Sequence, residues 1–581
     1  MINNIKIYYI PLVKKICSIA PISSILTIFG QFFNGIFPAV ITIITAQLVE
    51  LVGEHINGVD NRIDIIIVQG ILVFAYLIQQ VIQFIMSITI NAGVFEKCNS
   101  EFKIEIAQKA SKIALINYED TNILNMYTRA RDCINREIPS SIFLAFVTVL
   151  MNFISVITVM VVLASYSVWF IPVSIVSVIP FYVVKKIRGD EFYKLKFKQT
   201  KDNRELNYLW GLFTHKDSIR EMRVMCFENY IIDKWIAKRD EIDEGVWKHN
   251  MKETKSMITC DVIRVIGYMI SIVFAIIFLV QGLITIGPFA ACLSAFTSVQ
   301  NTTKEFFIKL SNIRNNGTFL KDYFDFIGVE EEKEVVNINT CNEVEDIVLN
   351  NVTFSYPGTN RIAIRDINLS IKRGEKIAIV GQNGSGKTTL CKIILGIYQP
   401  QKGKVSQSDR VSGNCGIVSQ NYVKYKMTLR ENIGISDIKN IENRNKIMEL
   451  IEYMDISELI KENENIDYRL GTEFGGEDLS GGQWQKIAIS RAIYNKANMY
   501  ILDEPTSALD PLIELDVMNS FLKIAEDRTT VMVLHRMGLC KSVDRIIVMK
   551  DGEILETGSH TEVMKKRGEY YHMFNEQSKW Y

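Results

Sequence analysis

Gly381-Gln-Asn-Gly-Ser-Gly-Lys-Thr-Thr389 has the spacing G-x-x-x-x-G-K-[ST] of a phosphate-binding loop. An apolar run, Ile377-Ala-Ile-Val380, precedes it, and a helix-like run, Leu390-Cys-Lys-Ile-Ile-Leu395, follows. Strand, loop and helix in that order are the context the motif requires. Gly381, Gly384 and Gly386 let the backbone fold closely around an anion. The freed N–H groups and the helix N-terminus then face phosphate oxygens. Lys387 supplies a cation for the outer phosphates, and the Thr388 hydroxyl is placed to ligate Mg2+.

The 581 residues exceed what one core accommodates, so at least two domains are expected. Lys plus Arg and Asp plus Glu are 65 each, and this neutrality argues against a nucleic-acid partner held by bulk charge. The long apolar runs all lie in the first 325 or so residues, whereas the remainder reads as α/β. The ten cysteines are scattered without a C-x-x-C pair, which fits free thiols in a reducing compartment.

In the first half, residues 4–20 mix Ile, Tyr, Leu and Val with Lys6, Lys14 and Lys15. They read as an amphipathic helix lying at a membrane surface. Six stretches approach the ~20 apolar residues that a spanning helix needs: Ile22–Leu51, Ile63–Val94, Ile138–Ala164, Val168–Val184, Val262–Gln281 and Thr285–Phe307. Segments 95–137 and 185–257 are long and rich in Lys and Arg, while 52–62, 165–167 and 282–284 are short and carry little positive charge. The excess of positive charge places the long segments, and both termini, in the cytoplasm. Tyr76, Gln80, Gln83, Ser87 and Asn91 share one helical face, as do Thr297, Asn301 and Glu305. Each face reads either as interhelical hydrogen bonding or as a lining for transported material. Neither holds the carboxylate cluster expected of an ion pathway. Asp261 and Arg264 read as a structural or snorkelling pair. Residues 322–343 are charged and aperiodic and mark a linker, which gives a membrane domain over 1–321 and a soluble domain over 344–581.

In the second half, Tyr356 ends a strand-like run and reads as a base-stacking platform or as local packing. Gln420 ends the run Cys415-Gly-Ile-Val-Ser419, within reach of a metal or an attacking water. Leu479-Ser-Gly-Gly-Gln483 opens a helical run over Trp484–Tyr494. It is either a helix cap or a second anion-receptive helix start, and the latter makes sense facing a nucleotide held by another copy. Met499-Tyr-Ile-Leu-Asp503 is a buried strand ending in acid. Asp503 suits an outer-shell role on Mg2+, and Glu504 a general base. His535 ends the run Thr530-Val-Met-Val-Leu534, as a structural histidine or a contact to the terminal phosphate.

In order and spacing these residues resemble the ATPase domain of ABC transporters, over Val344 to about Phe574. The fold class implied is an all-α six-helix transmembrane domain joined to an α/β P-loop nucleotide-binding domain. The resemblance implies ATP and Mg2+ as cofactors. It makes Tyr356, Gly381, Gln382, Asn383, Gly384, Ser385, Gly386, Lys387, Thr388 and Thr389 nucleotide contacts, joined by Ser480, Gly481, Gly482 and Gln483 from the opposite copy. It assigns Thr388, Gln420 and Asp503 to the metal, and Glu504, His535 and Gln420 to catalysis. Asp510 then belongs to the turn after the acidic strand. Tyr118–Thr121 and Leu209–Arg223 are implied to be coupling segments, and Glu473-Phe-Gly-Gly-Glu477-Asp478 departs from the run common in exporters. The implied partners are a second copy (homodimer, or heterodimer with a related chain), membrane lipid and an exported cargo, with no nucleic acid. Leu479–Lys486 and Val423–Ile433 are similar to Gram-positive exporters of modified peptides such as lantibiotics. The expected function is therefore ATP-driven export of a peptide or amphipathic substrate across the cytoplasmic membrane, with multidrug export, lipid flipping or a non-transporting sensor as alternatives. The early entry into the membrane leaves no room for an N-terminal protease domain.

Overall fold

The computed structural model describes residues 5–166, 170–332, 345–359, 361–411, 414–460, 465–476, 478–506 and 511–579. They form two compact units. One comprises residues 1–112 and 125–330, and the other residues 113–124 and 331–581.

The first unit is helical. Its elements are α1 (Ile10–Ile19), α2 (Pro21–Ile56), α3 (Arg62–Ile88), α4 (Lys97–Lys112), α5 (Thr121–Asn135), α6 (Ile138–Tyr166), α7 (Phe170–Lys198), α8 (Thr200–Leu212), α9 (Lys216–Met225), α10 (Glu228–Val280) and α11 (Ile286–Ile327). A π-helical segment, Thr89–Glu96, joins α3 to α4. The buried face of α2 is Ser24, Thr27, Gly30, Gly35, Ala39, Thr42 and Ala46. Small residues at this spacing let neighbouring backbones approach, which is how helices associate in lipid. The buried hydroxyls of Thr27 and Thr42 donate back to the carbonyls of Ser23 and Pro38, at 2.7 Å each.

Among the described residues, α2, α6, α10 and the continuous run Arg62–Lys112 are long and apolar enough to cross a membrane. The other two expected spans fall on α7 and α11. The α7 stretch begins in residues outside those described, and the apolar run on α11 is broken by Gln300, Asn301, Lys304 and Glu305. The helix α11 also runs to Ile327, so the first residues of the expected linker are helical, and residues 333–343 lie outside those described.

The five polar residues expected on one face of α3 and its extension, Tyr76, Gln80, Gln83, Ser87 and Asn91, are all exposed. The helix packs through Ala75 and Met86 instead. The Ser87 hydroxyl bonds only its own helix, at the Phe84 carbonyl. Among the described residues, then, this face makes no side-chain hydrogen bond to another helix of the same chain. Asp261 is held by Arg264 at 3.3 Å and Lys304 at 3.1 Å, and Arg264 also donates to Asn301 at 2.8 Å, a structural cluster.

The second unit is built on two sheets. β1 (Glu345–Ser355), β2 (Ile362–Lys372) and β4 (Lys402–Gln407) form an antiparallel sheet in the order β2-β1-β4. The second sheet has the order β5-β6-β7-β3-β8-β9, with β3 (Lys376–Gly381), β5 (Cys415–Val418), β6 (Met499–Asp503), β7 (Thr529–Val533), β8 (Arg545–Lys550) and β9 (Glu553–Gly558). It is parallel from β5 to β8, and β9 pairs antiparallel with β8. Alternation along the strands sorts side chains onto two buried faces. Ile377, Ile379, Ile501, Val531 and Val533 join the core shared with the antiparallel sheet. Ala378, Val380, Leu502, Met532 and Val548 join a core shared with helices. Those helices include α13 (Leu429–Gly434), α14 (Arg444–Tyr453), α15 (Gly481–Tyr494) and α16 (Pro511–Ile524), while α12 (Lys387–Ile394) follows β3 directly.

Candidate nucleotide site

In a sheet of parallel strands buried on both faces, the open positions for polar chemistry are the loops beyond the carboxyl ends. Gly381 ends β3, Asp503 ends β6, Gln420 lies just past β5 and His535 just past β7. These loops border a cleft of about 1240 Å³, lined by Tyr356, Asn383, Gly384, Gly386, Lys387, Thr388, Thr389, Gln420, Glu504 and His535 among others.

The Gly381–Thr389 loop is shaped by its neighbours as much as by any ligand. Gly386 has φ +103°, and a Cβ there would sit 2.8 Å from the Ala363 carbonyl and 2.9 Å from Ile364. A Cβ on Gly381 would run into the Met549 carbonyl. At Gly384 the space is open, with Arg361 as the neighbour at 3.8 Å. At Gly381 and Gly386, then, the obstacle to a side chain is the protein's own backbone rather than an anion. Lys387 is buried, and its amine donates to the carbonyls of Gly381 at 2.9 Å and Gln382 at 3.0 Å. Burial pushes its pKa down, against the opposing pull of the Glu504 and Asp503 carboxylates.

Asp503 is buried beside the Thr388 hydroxyl, which hydrogen-bonds its carboxylate. Burial raises its pKa, and the Thr388 hydrogen bond works in the other direction. Its Oδ1 is buried without a hydrogen-bond partner. An unsatisfied carboxylate oxygen next to a hydroxyl is a set of hard oxygen donors that fits Mg2+.

Glu504 follows at φ +53°, a left-handed conformation that a non-glycine residue adopts only where the surroundings impose it. Its N–H donates to the Val533 carbonyl at 3.2 Å. Its carboxylate bridges two neighbouring loops: Oε2 accepts from Gln420 Nε2 at 3.0 Å and Oε1 meets His535 Nε2 at 2.6 Å. The loops after β5, β6 and β7 thus meet at one carboxylate. The sequence reading assigned both residues to catalysis, with Gln420 also reaching the metal or the attacking water and His535 the terminal phosphate. Here both hold Glu504.

Tyr356 lines the cleft and is also locally packed, so the two readings of this residue coexist. Its hydroxyl shares a 3.0 Å hydrogen bond with Thr389, and its ring meets Phe354 and Tyr398 edge-on. Gln382 reaches Glu569 at 3.2 Å, and the Ser385 hydroxyl is buried without a partner. Ser480, Gly481, Gly482 and Gln483 are not among the described residues lining the cleft. Ser480 caps α15 in a reciprocal box with Gln483, at 2.9 and 3.2 Å, and Ser480 and Gly481 are exposed. Asp510 lies outside the described residues.

Glu119 and Tyr398 were not identified as neighbours from the sequence. Leu115–Glu119 forms a 3-10 turn within the second unit, with Ile116 packed on the core between the sheets. Tyr398 donates to Glu119 at 2.6 Å and stacks on Phe354. The sequence marked Tyr118–Thr121, but the tyrosine that receives it sits 279 positions away with no local signal.

Residues 364–507 match the family model described as ABC transporter. The subtilin transport ATP-binding protein SpaT of Bacillus subtilis is 30% identical over 556 residues, covering 92% of this chain and 88% of that protein. The nisin transport ATP-binding protein NisT of Lactococcus lactis is 29% identical, covering 90% and 88%. Among solved structures, a bacterial Atm1-family ABC exporter with ATP bound superposes with a TM-score of 0.78 at 18% identity, over 97% of this chain and 98% of that one. An ATPase domain of this kind binds ATP and hydrolyses it, and the helical unit makes the chain a multi-pass membrane protein. With one family model on the ATPase half and relatives matched across both halves, the chain belongs to the ABC transporter family.

Proposed function

We propose that this chain is an ATP-driven exporter of a peptide in the cytoplasmic membrane, working as a homodimer with six spans per copy. The observation carrying the peptide reading is that SpaT and NisT match over 92% and 90% of the chain, membrane half included. A lipid A-core flippase of Wigglesworthia glossinidia brevipalpis matches over 69% of the chain at 26% identity. Ser480–Gln483 is not among the described residues lining the cleft of its own chain, and this favours its serving the nucleotide of a second copy.

Within the site, Lys387 turns from its loop carbonyls to the outer phosphates, and the loop N–H groups hold the rest of the chain of phosphates. Thr388, Asp503 and Gln420 would hold Mg2+, which supplies charge neutralisation for phosphoryl transfer. Glu504 accepts a proton from the attacking water as general base. His535 and Gln420 position that carboxylate, and releasing one of them frees an oxygen for the water. Tyr356 offers its ring to adenine, tethered by Thr389.

The test is ATP-dependent accumulation of candidate substrates in inside-out vesicles. A modified peptide should accumulate with the wild type and fail to with Glu504→Gln. Accumulation of a fluorescent lipid or drug but no peptide would replace the cargo assignment, and accumulation surviving Glu504→Gln would refute the mechanism.

A further inference from the structure

A second cavity, of about 490 Å³, lies wholly within the helical unit. Three elements wall it. α7 contributes Tyr182, Lys185 and Lys186. α11 contributes Phe307, Leu310, Arg314 and Lys321. The segment ahead of α1 contributes Tyr9. That third wall is fixed by Gly317, whose missing side chain lets the Tyr9 hydroxyl donate to the Ile313 carbonyl at 3.0 Å.

The lining is graded along the helices. On α11 the ring of Phe307 and the side chain of Leu310 come first, then Arg314 and Lys321. Phe307 and Lys321 are fourteen residues apart, or about 21 Å of helix. On α7 Tyr182 precedes Lys185 and Lys186. Both gradients run from the apolar spans toward the ends that carry the excess of positive charge, the cytoplasmic side. The apolar end of the cavity is thus at acyl-chain depth and the cationic end at headgroup depth.

Two of the four cations that line the cavity are left without an ion pair among the described residues. Arg314 pairs with Asp190, and Lys185 with Glu253 at 2.5 Å. Lys186 and Lys321 are exposed and form no ion pair among the described residues. Among the described residues no carboxylate lines the cavity itself; Asp190 and Glu253 meet its cations from outside the lining. Four cations, two of them unpaired, beside three aromatic rings at an interface form a receptor for an anionic group attached to an apolar tail.

We propose that this cavity binds an anionic phospholipid of the cytoplasmic leaflet, its phosphate among Lys186, Arg314 and Lys321 and its acyl chains along Tyr182, Phe307 and Leu310. The site is separate from the nucleotide cleft and does not depend on which cargo is exported.

The full-length protein is placed in phosphatidylcholine nanodiscs, phosphatidylglycerol is titrated in, and protein-bound phosphatidylglycerol is measured by native mass spectrometry. The wild type should retain phosphatidylglycerol over phosphatidylcholine. The double variant Lys186→Gln/Lys321→Gln should lose roughly tenfold or more of that preference. The control Lys97→Gln/Lys103→Gln, which removes two exposed lysines of α4, should keep it. ATP hydrolysis in pure phosphatidylcholine should be unchanged in both, showing that they fold. Equal retention by the two double variants would overturn the proposal. So would displacement by soluble glycerol phosphate at the same concentration as by lipid, because the apolar lining would then contribute nothing. Displacement of the lipid by a peptide cargo at lower concentration than any lipid would assign the cavity to cargo instead.

Discussion

Replacing Glu504 with glutamine isolates the chemistry of one carboxylate from its structural role. Gln420 Nε2 donates to Oε2 at 3.0 Å, and His535 Nε2 lies 2.6 Å from Oε1. A glutamine at 504 accepts from Gln420 through its carbonyl and donates its amide N–H to His535, provided the imidazole carries its proton on Nδ1. Both hydrogen bonds therefore survive, as does the φ of the turn, and folding should be unaffected. What disappears is the ability to accept a proton. General-base catalysis contributes about 10²–10⁴-fold, or roughly 3–5 kcal/mol of barrier at 1.36 kcal/mol per tenfold. The expected result is a kcat for ATP hydrolysis lowered by about 10²–10⁴, with nucleotide affinity equal to or above wild type. Single-turnover hydrolysis in proteoliposomes, paired with equilibrium binding of a fluorescent ATP analogue, measures the two separately. A kcat within a few-fold of wild type would refute the assignment of the base. A parallel loss of affinity would show that Glu504 acts in binding rather than in the chemical step.

Gly386→Ala should destabilise the second unit by roughly 2 kcal/mol or more, from the left-handed backbone and the Ala363 carbonyl 2.8 Å away; a thermal midpoint unchanged without nucleotide would contradict this. Asp503→Asn should raise the nucleotide-free thermal midpoint while lowering hydrolysis. Burial holds the folded pKa of Asp503 above its unfolded value, so the ionised carboxylate weakens the fold above that pKa and ceases to do so as acid protonates it. The gain from Asn should accordingly be present at neutral pH and shrink on acidification, and a gain independent of pH would sink the reasoning. Tyr356→Ala should raise the ATP concentration needed for half-maximal hydrolysis several-fold with little change in kcat, and an unchanged requirement removes Tyr356 from the site. Tyr398→Phe removes the 2.6 Å hydrogen bond to Glu119 but keeps the ring on Phe354. Hydrolysis by the isolated second unit's chemistry should persist while vesicle transport falls, and equal transport by variant and wild type would leave that bond without a role.

The contrast between what the sequence shows and what it hides follows from how each feature is encoded. Ile377–Val380, Met499–Leu502 and Thr530–Val533 are continuous apolar runs because both faces of a parallel strand are buried. Where such a run stops at Asp503, or one residue short of His535, the polar group has to emerge at the strand end, so the neighbourhood of the cleft is legible from a single chain. The partners are not legible. Glu504 meets Gln420 and His535 because three adjacent strands end level, and that depends on the order β5-β6-β7-β3, which no local pattern specifies. The same holds for Tyr398 and Glu119, and for the Met549 and Ala363 carbonyls that exclude side chains at Gly381 and Gly386. In the helical unit the periodicity on α3 was visible, yet whether Gln80 and Gln83 serve their own chain was not. Their exposure shows that the packing face is Ala75 and Met86 instead. A column of amide and hydroxyl groups left outside the fold of one copy has few stable surroundings in a bilayer, since hydrocarbon cannot satisfy it. Water in a translocation path or the polar groups of a second copy can.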